Sequence, residues 1–280
     1  MAAAASRAVL VTGCSTGIGR ATAARLRAAG HDVVATARRV ETLADLERAG
    51  CRTLALDVTD EESMRAAVEQ AGPLYALVNN AGYSQSGPVE EVPLEAARRQ
   101  FETNVFGAMR MAQLVLPGMR ERREGRIVNI SSMGAHFVFP GGGWYHATKH
   151  ALDALTDALR FEVAGFGVKV VSIQPGLIKT EFASAATSSM EGATSAEGPY
   201  GAFNAGLSKS TKAVYENPVM LRLGGGPDAV AKVVEKAIAS RRPKARYLVT
   251  PSAHLLVTQR RLMTDGMWDR MMRTQFRQPK

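Results

Sequence analysis

Short apolar runs recur along the chain, each closed by a polar or glycine-rich turn and followed by residues at helical spacing. Runs at 8–12, 31–37, 52–56, 74–78, 127–130, 168–173 and 246–250 read as strands, several of them apolar enough to be buried on both faces. Helical stretches are expected at 20–29, from Asp60, over 94–124, from 144 to 165 and over 227–240. Gly30 reads as the stop of the first helix and Thr59 as a cap for the one starting near Asp60. Asn104 falls inside the long stretch 94–124, which Pro117 and Gly118 are expected to kink near its end. Strand alternating with helix predicts an α/β fold, a doubly wound parallel sheet of about seven strands with helices on both faces.

Two stretches break the alternation. From 182 to 218 the composition shifts to Ala, Ser, Thr and Gly without a strong apolar period, and a lid over a crevice is expected there. Beyond 250, Leu255, Leu256, Leu262, Met263, Met267, Trp268, Met271, Met272 and Phe276 follow helical spacing among arginines. This amphipathic extension, 251–280, either packs on the domain or a partner copy or lies at a membrane surface.

Composition narrows the classes. At 280 residues and 46% apolar, the chain can bury a substantial core. No apolar run approaches the ~20 residues of a membrane helix, and the start lacks a signal-peptide pattern, so a cytoplasmic protein is expected. Cys14 and Cys51 have neither metal-ligand nor redox spacing, and no metal is expected. The net charge of +9 is spread over many helices without an aromatic-interleaved basic stripe, which argues against nucleic acid.

Candidate chemistry begins at Gly13-Cys14-Ser15-Thr16-Gly17-Ile18-Gly19, between the first strand and first helix. Backbone amides and the helix dipole favour an anion there, and glycine permits close approach of the backbone. The spacing is G-x-x-x-G-x-G, not the G-x-G-x-x-G of other dinucleotide folds, and by itself a turn of no function would look the same. The second strand ends at Ala37, where NAD-binding folds carry an acidic residue, and Arg38-Arg39 follow. With no carboxylate to repel a 2′-phosphate and Arg38 able to pair with it, NADP(H) is expected over NAD(H); solvated loop arginines are the plain alternative. Asp57-Val58, Asn79 to Gly82 and Gln174 to Thr180 close other strands and should converge on one crevice.

Tyr145 and Lys149 stand one helical turn apart, and Ser132 follows the strand at 127–130. A nearby ammonium favours phenolate over phenol, bringing a group that ordinarily titrates near ~10 into use as a general acid or base. A serine hydroxyl at the strand end could hydrogen-bond a carbonyl that Tyr145 protonates. Each piece alone is common, since Tyr-x-x-x-Lys arises by chance and Ser-Ser is frequently a turn or cap. The combination with a nucleotide-binding N-terminus carries the reading. Phe137, Phe139, Trp144 and Phe182 are expected to wall an apolar pocket, with His136 a lining candidate and His146 a helix-face residue.

With TGCSTGIG, NNAG, Asn104, Ser132, YHATK and PGLIKT in this order, the chain resembles a single-domain short-chain dehydrogenase/reductase, strongly over 8–180. Through TARR and RYLVTP it resembles, more loosely, a 17β-hydroxysteroid or retinol dehydrogenase-like branch. The resemblance implies a catalytic tetrad. Tyr145 would be the acid/base and Ser132 would polarise the carbonyl. Lys149 would tune Tyr145 and hold ribose hydroxyls, and Asn104 would support a water relay. It also implies that Gly13, Ser15, Gly17, Ile18 and Gly19 hold the pyrophosphate and adenosine end, and Arg38 the 2′-phosphate. Asp57 and Val58 would lie near the adenine, Asn79 and Gly82 along the cofactor, and Pro175, Gly176, Ile178 and Thr180 would orient the nicotinamide.

The resulting expectation is one dinucleotide-binding and catalytic domain, 1–250, carrying the extension 251–280. Its activity would be NADP(H)-dependent carbonyl reduction or alcohol oxidation on a lipophilic substrate. The alternatives are an NAD-dependent alcohol or hydroxysteroid dehydrogenase of the same fold, or a non-catalytic nucleotide sensor. A homodimer or homotetramer burying the helices near Thr103 and Trp144 is implied by relatives, and peripheral membrane contact through the tail is a further possibility.

Overall fold

Val9 and Val11 point to one side of the first strand and Ala8 and Leu10 to the other, and all four are buried. A strand covered on both faces belongs in the middle of a sheet flanked by helices. The computed structural model, which describes residues 7–180, 198–217, 222–276 and 278–279, has this architecture. Strands β1 (Ala8–Val11), β2 (Asp32–Ala37), β3 (Arg52–Ala55), β4 (Leu74–Asn79), β5 (Gly125–Ile130), β6 (Val168–Pro175) and β7 (Arg246–Val249) form one parallel sheet ordered β3-β2-β1-β4-β5-β6-β7. The order reverses between β1 and β4, where the carboxyl ends of open α/β sheets leave a crevice.

The helices are α1 (Gly17–Ala28), α2 (Ala44–Arg48), α3 (Glu61–Ala71), α4 (Leu94–Phe101), α5 (Ala108–Glu121), α6 (Gly143–Glu162), α7 (Gly201–Glu216), α8 (Pro227–Ala239), α9 (Pro251–Leu262) and α10 (Asp265–Gln275). On one face Ala23 and Leu26 of α1 and Val230, Val234 and Ile238 of α8 meet β1, β2, β5 and β6. On the other, Met64 and Ala67 of α3 and Met111, Val115 and Met119 of α5 cover Leu10, Leu77 and Ile127. A third cluster lies beyond the sheet's end. Ala253 and Val257 of α9 and Trp268 and Met272 of α10 close on Met133 and Phe137.

Three local expectations are corrected. The third helix is capped by Asp60, whose carboxylate accepts from the amides of Glu62 (2.9 Å) and Ser63 (3.2 Å), while Thr59 bonds Asp57 instead. The long stretch from 94 is interrupted not at Pro117, which sits inside α5, but at a wide π-type turn, Glu102–Gly107. There Gly107 passes so close to Val58 O that a Cβ would lie 2.3 Å from it, and Asn104 turns inward. Within 182–218, residues 201–216 form α7. Tyr200 at its start donates to Glu90 (2.7 Å) and Asn204 to Glu91 (2.9 Å). Residues 182–197 and 218 of the expected lid lie outside the described residues.

Candidate active site

The ends of β1 and β4 are stitched together by side chain and backbone. Thr12 Oγ1 accepts from the amides of Asn80 (2.9 Å) and Ala81 (3.0 Å), and Asn80 Nδ2 donates to Thr12 O (2.9 Å) and Gly13 O (3.0 Å). Gly13 has φ +72° and lies where a Cβ would come within 2.9 Å of Ala81 Cα, so only glycine makes this turn without strain. The first turn of α1 carries no acidic residue and no side-chain cap, which leaves its amides for an anion. Arg20 braces the turn from behind, donating to Ser15 O and pairing with Asp45.

A cavity of about 1400 Å³ opens from this turn across the sheet's carboxyl edge to the C-terminal helices. It exceeds the ~300–1,000 Å³ of common small-molecule pockets and can hold two ligands end to end. Gly13, Ser15, Gly17, Ile18, Arg38, Asp57, Val58, Gly82, Ser132, Tyr145, Lys149, Pro175, Gly176, Ile178 and Thr180 line it. Three residues expected in the site do not. Gly19 serves packing, since a Cβ there would meet Gly13 O at 2.3 Å. Asn79 points into the protein, donating to Ala108 O and Asn129 Oδ1 (2.9 Å each), and its neighbour Asn80 reaches the cavity instead. Asn104 stands behind the wall, its amide on Tyr83 O (2.9 Å) and Thr148 Oγ1 (3.1 Å) and its carbonyl oxygen accepting from Tyr83 N (3.0 Å). It ties the segment after β4 to the helix that carries Tyr145.

At the adenosine end the residues fit a phosphorylated dinucleotide. Ala37 offers no carboxylate, and exposed Arg38 lines the cavity beside Thr59. Arg39 is turned toward Glu41 (4.0 Å). Burial raises the Tyr83 hydroxyl's pKa, and the nearby cations Arg99 and Arg38 pull it the other way.

Tyr145, His146 and Lys149 come from the first turns of α6. Lys149 is buried, donates to Ile130 O (2.9 Å) and stands 5.8 Å from the Tyr145 ring centre. Burial pushes its ammonium down to about 8, and the carboxylate of Asp153, one turn further along, opposes that fall. Asp153 is itself buried and held by Ser172 Oγ (2.7 Å) and Gln174 Nε2. Gln174 Oε1 is 3.1 Å from His136 Nε2, so His136 serves this polar chain and does not line the cavity. Ser132 accepts from Gly134 N (3.0 Å), a bond that fixes its oxygen at the end of β5 and leaves its proton for another acceptor. His146, expected on a helix face, is buried and lines the cavity. Its Nδ1 donates to Gly134 O (2.9 Å), and burial lowers its pKa, favouring neutral imidazole.

The far end of the cavity is apolar. Phe137 and Phe139 contribute to it as expected, joined by Leu207 of α7, Leu255 and Leu256 of α9, and Met271 and Phe276 at the chain's end. Trp144 does not. It faces a separate groove with Leu94, Phe101 and Phe106. Phe182 lies outside the described residues. The tail's part in the wall has no local signal in the sequence, whose helical period names no docking surface. Among the described residues no cluster of three or more His, Cys, Asp or Glu could hold a metal.

Comparisons with known proteins agree with this geometry. The short chain dehydrogenase family profile matches residues 7–191. The chain is 34% identical over 272 residues to the uncharacterized oxidoreductase YbbO of Escherichia coli K12, covering 95% of this chain and 94% of that one. It is 34% identical over 278 residues to an NADPH-dependent 3-dehydrocapnine reductase of Ornithobacterium rhinotracheale, covering 95% of each. A serine dehydrogenase solved in complex with NADP+ superposes with a TM-score of 0.75 at 28% identity, over 87% of this chain and 94% of that one. The profile and the full-length relatives place the chain in the short-chain dehydrogenase/reductase family, as an oxidoreductase that works on carbonyl or CH–OH groups with a nicotinamide cofactor.

Proposed function

We propose that the protein is an NADP(H)-dependent carbonyl reductase, reversible as an alcohol dehydrogenase, for lipophilic ketones or aldehydes. The observation that carries this reading is the position of Tyr145, Ser132 and Lys149. They sit on the wall of a cavity that is glycine-lined, with Arg38 beside it, at one end and apolar at the other. Gly13, Ser15, Gly17 and Ile18 would hold the pyrophosphate, Arg38 the 2′-phosphate, and Pro175, Gly176, Ile178 and Thr180 the nicotinamide. When bound, the cofactor supplies or accepts the hydride.

The chain's own residues do the rest. Ser132 donates to the substrate oxygen, and Tyr145 gives that oxygen its proton as the alcohol forms. The Lys149 ammonium stabilises the phenolate left behind. Asn104 fixes the helix register that keeps Tyr145 in place. Neutral His146 holds Gly134, and with it the turn that presents Ser132. The NADPH-dependent relative and the NADP+-bound neighbour support the cofactor assignment. We take α7 as part of a lid on the apolar end, and the groove of Leu94, Phe101, Phe106 and Trp144, in which Phe106 is 55% exposed, as an interface between copies. Light scattering after gel filtration tests the latter; a monomer at all concentrations removes it.

The test of function is oxidation of NADPH and of NADH over hydrophobic ketones, aldehydes, steroids and retinoids, followed at the nicotinamide absorbance. NADPH-linked turnover is expected. A clear preference for NADH would overturn the role of Arg38. Nucleotide binding without turnover on any carbonyl would favour a sensor.

A further inference from the structure

The apolar wall does not stop at the cavity. On α9, Leu255 and Gln259 line it, and Leu262 follows at the spacing that keeps one helix face, i, i+4, i+7. On α10, Met271 and Gln275 line it, and Met267 precedes Met271 by one turn on the same face. Both stripes therefore run outward to the turn joining the two helices, where Leu262 is 79% exposed and Met267 51% exposed. Leu255, at the cavity itself, is 53% exposed. Large apolar side chains left in water in continuity with a ligand cavity mark a surface that meets something apolar.

Charge says what that is. Arg261 and Arg270 are exposed beside this lip, and among the described residues neither forms an ion pair, while Arg273 faces the other side of α10. Arg260 is committed to Asp265 and to the Trp268 ring, which leaves Asp269 as the opposing charge. Apolar tips flanked by the uncommitted Arg261 and Arg270 match the interface of an anionic bilayer, which takes the tips into its acyl boundary and the guanidiniums at its headgroups. No helix among the described residues is long and apolar enough to cross a membrane, so the contact is peripheral.

We infer that the α9–α10 turn docks on anionic phospholipid and delivers a membrane-dissolved ketone along the Leu262–Leu255 and Met267–Met271 stripes to Tyr145. The inference rests on the lipophilic-carbonyl reading for the substrate, while the docking itself stands apart from it.

Two measurements separate them. Full-length protein is co-sedimented with vesicles of pure phosphatidylcholine and of an equimolar mixture with phosphatidylglycerol. The same protein is assayed for NADPH oxidation with a water-soluble short ketone and with a long-chain ketone dissolved in those vesicles. Wild type is expected to pellet with the mixed vesicles and release at high salt. Leu262→Asp/Met267→Asp should lose binding at least tenfold and lose turnover of the vesicle-borne ketone, with the soluble ketone turned over as in wild type. Arg261→Glu/Arg270→Glu should weaken binding by about fivefold per arginine removed. Wild type left in the supernatant with both vesicles overturns the docking, as does binding unchanged in Leu262→Asp/Met267→Asp. A concentration-dependent dimer lost in that variant, without vesicle binding, assigns the lip to a second copy and also overturns it. Vesicle binding without turnover of either ketone leaves the docking in place and overturns the reductase reading.

Discussion

The two ends of the cavity are built in opposite ways. At the β1–α1 end one contiguous turn, Gly13 to Gly19, builds the wall from closely packed backbone, with Asn80 tying it to β4. At the far end no contiguous segment suffices. Phe137 and Phe139 follow β5, Leu207 comes from α7, and Leu256, Met271 and Phe276 from helices more than a hundred residues later. Backbone recognition needs short-range sequence and tolerates no added Cβ. Side-chain recognition needs only apolar volume, so it can be assembled from distant elements and altered without touching the sheet.

The sharpest break in that comparison is at the junction of the ends. Lys149→Met keeps volume but removes the ammonium, and kcat should fall by roughly 10²–10⁴-fold. Thermal stability should fall as well, because buried Ile130 O loses its donor and the buried Asp153 carboxylate loses its facing cation. A melting curve measured beside the rate separates the two. Next, Trp268→Ala should cost about 3–5 kcal/mol of stability, because Trp268 packs between Phe137 (ring centres 5.4 Å apart) and Phe139 (6.2 Å) and anchors the tail. Denaturant titration reads the loss. A rise in KM for a hydrophobic ketone without change in nucleotide affinity would confine the damage to the far end. Arg38→Ala acts at the other end, raising KM for NADPH by roughly 10- to 100-fold and sparing NADH.

A smaller effect concerns pH. With Lys149 held down at about 8, the reduction rate should decline as pH rises through that value, because the neutral amine no longer supports phenolate. Asp153→Asn removes the charge that opposes the fall, so the alkaline limb should move to lower pH; a limb that stays put would exclude Asp153 from tuning Lys149. Between about 8 and the unfolded value near ~10.4 the unfolded chain binds more protons, so this group's contribution to stability rises with pH there. Smallest is Asp60→Ala, which should cost about 1 kcal/mol through the lost α3 cap and leave both ends of the cavity intact.

The same contrast explains what could be read from sequence. Strands and the glycine turn are local patterns, and their positions agree within a residue or two at most ends. Alternation along β4 sends Asn79 inward and leaves Asn80 at the edge, a parity that composition does not reveal. α7 carries little signal in sequence because, among its described side chains, Phe203 and Leu207 alone are the large apolar pair packed inward. One i, i+4 pair among Ala, Gly and Ser gives little period. The tail's helices were legible, but their docking on Met133 and Phe137 is a long-range event with no local signal.

The most direct test of the account is NADPH oxidation with a hydrophobic ketone by wild type and by Tyr145→Phe, with NADPH binding followed separately by nicotinamide fluorescence. The account predicts turnover in wild type, and in Tyr145→Phe its loss with binding retained. Turnover persisting in Tyr145→Phe would contradict it, because the proton would then come from elsewhere.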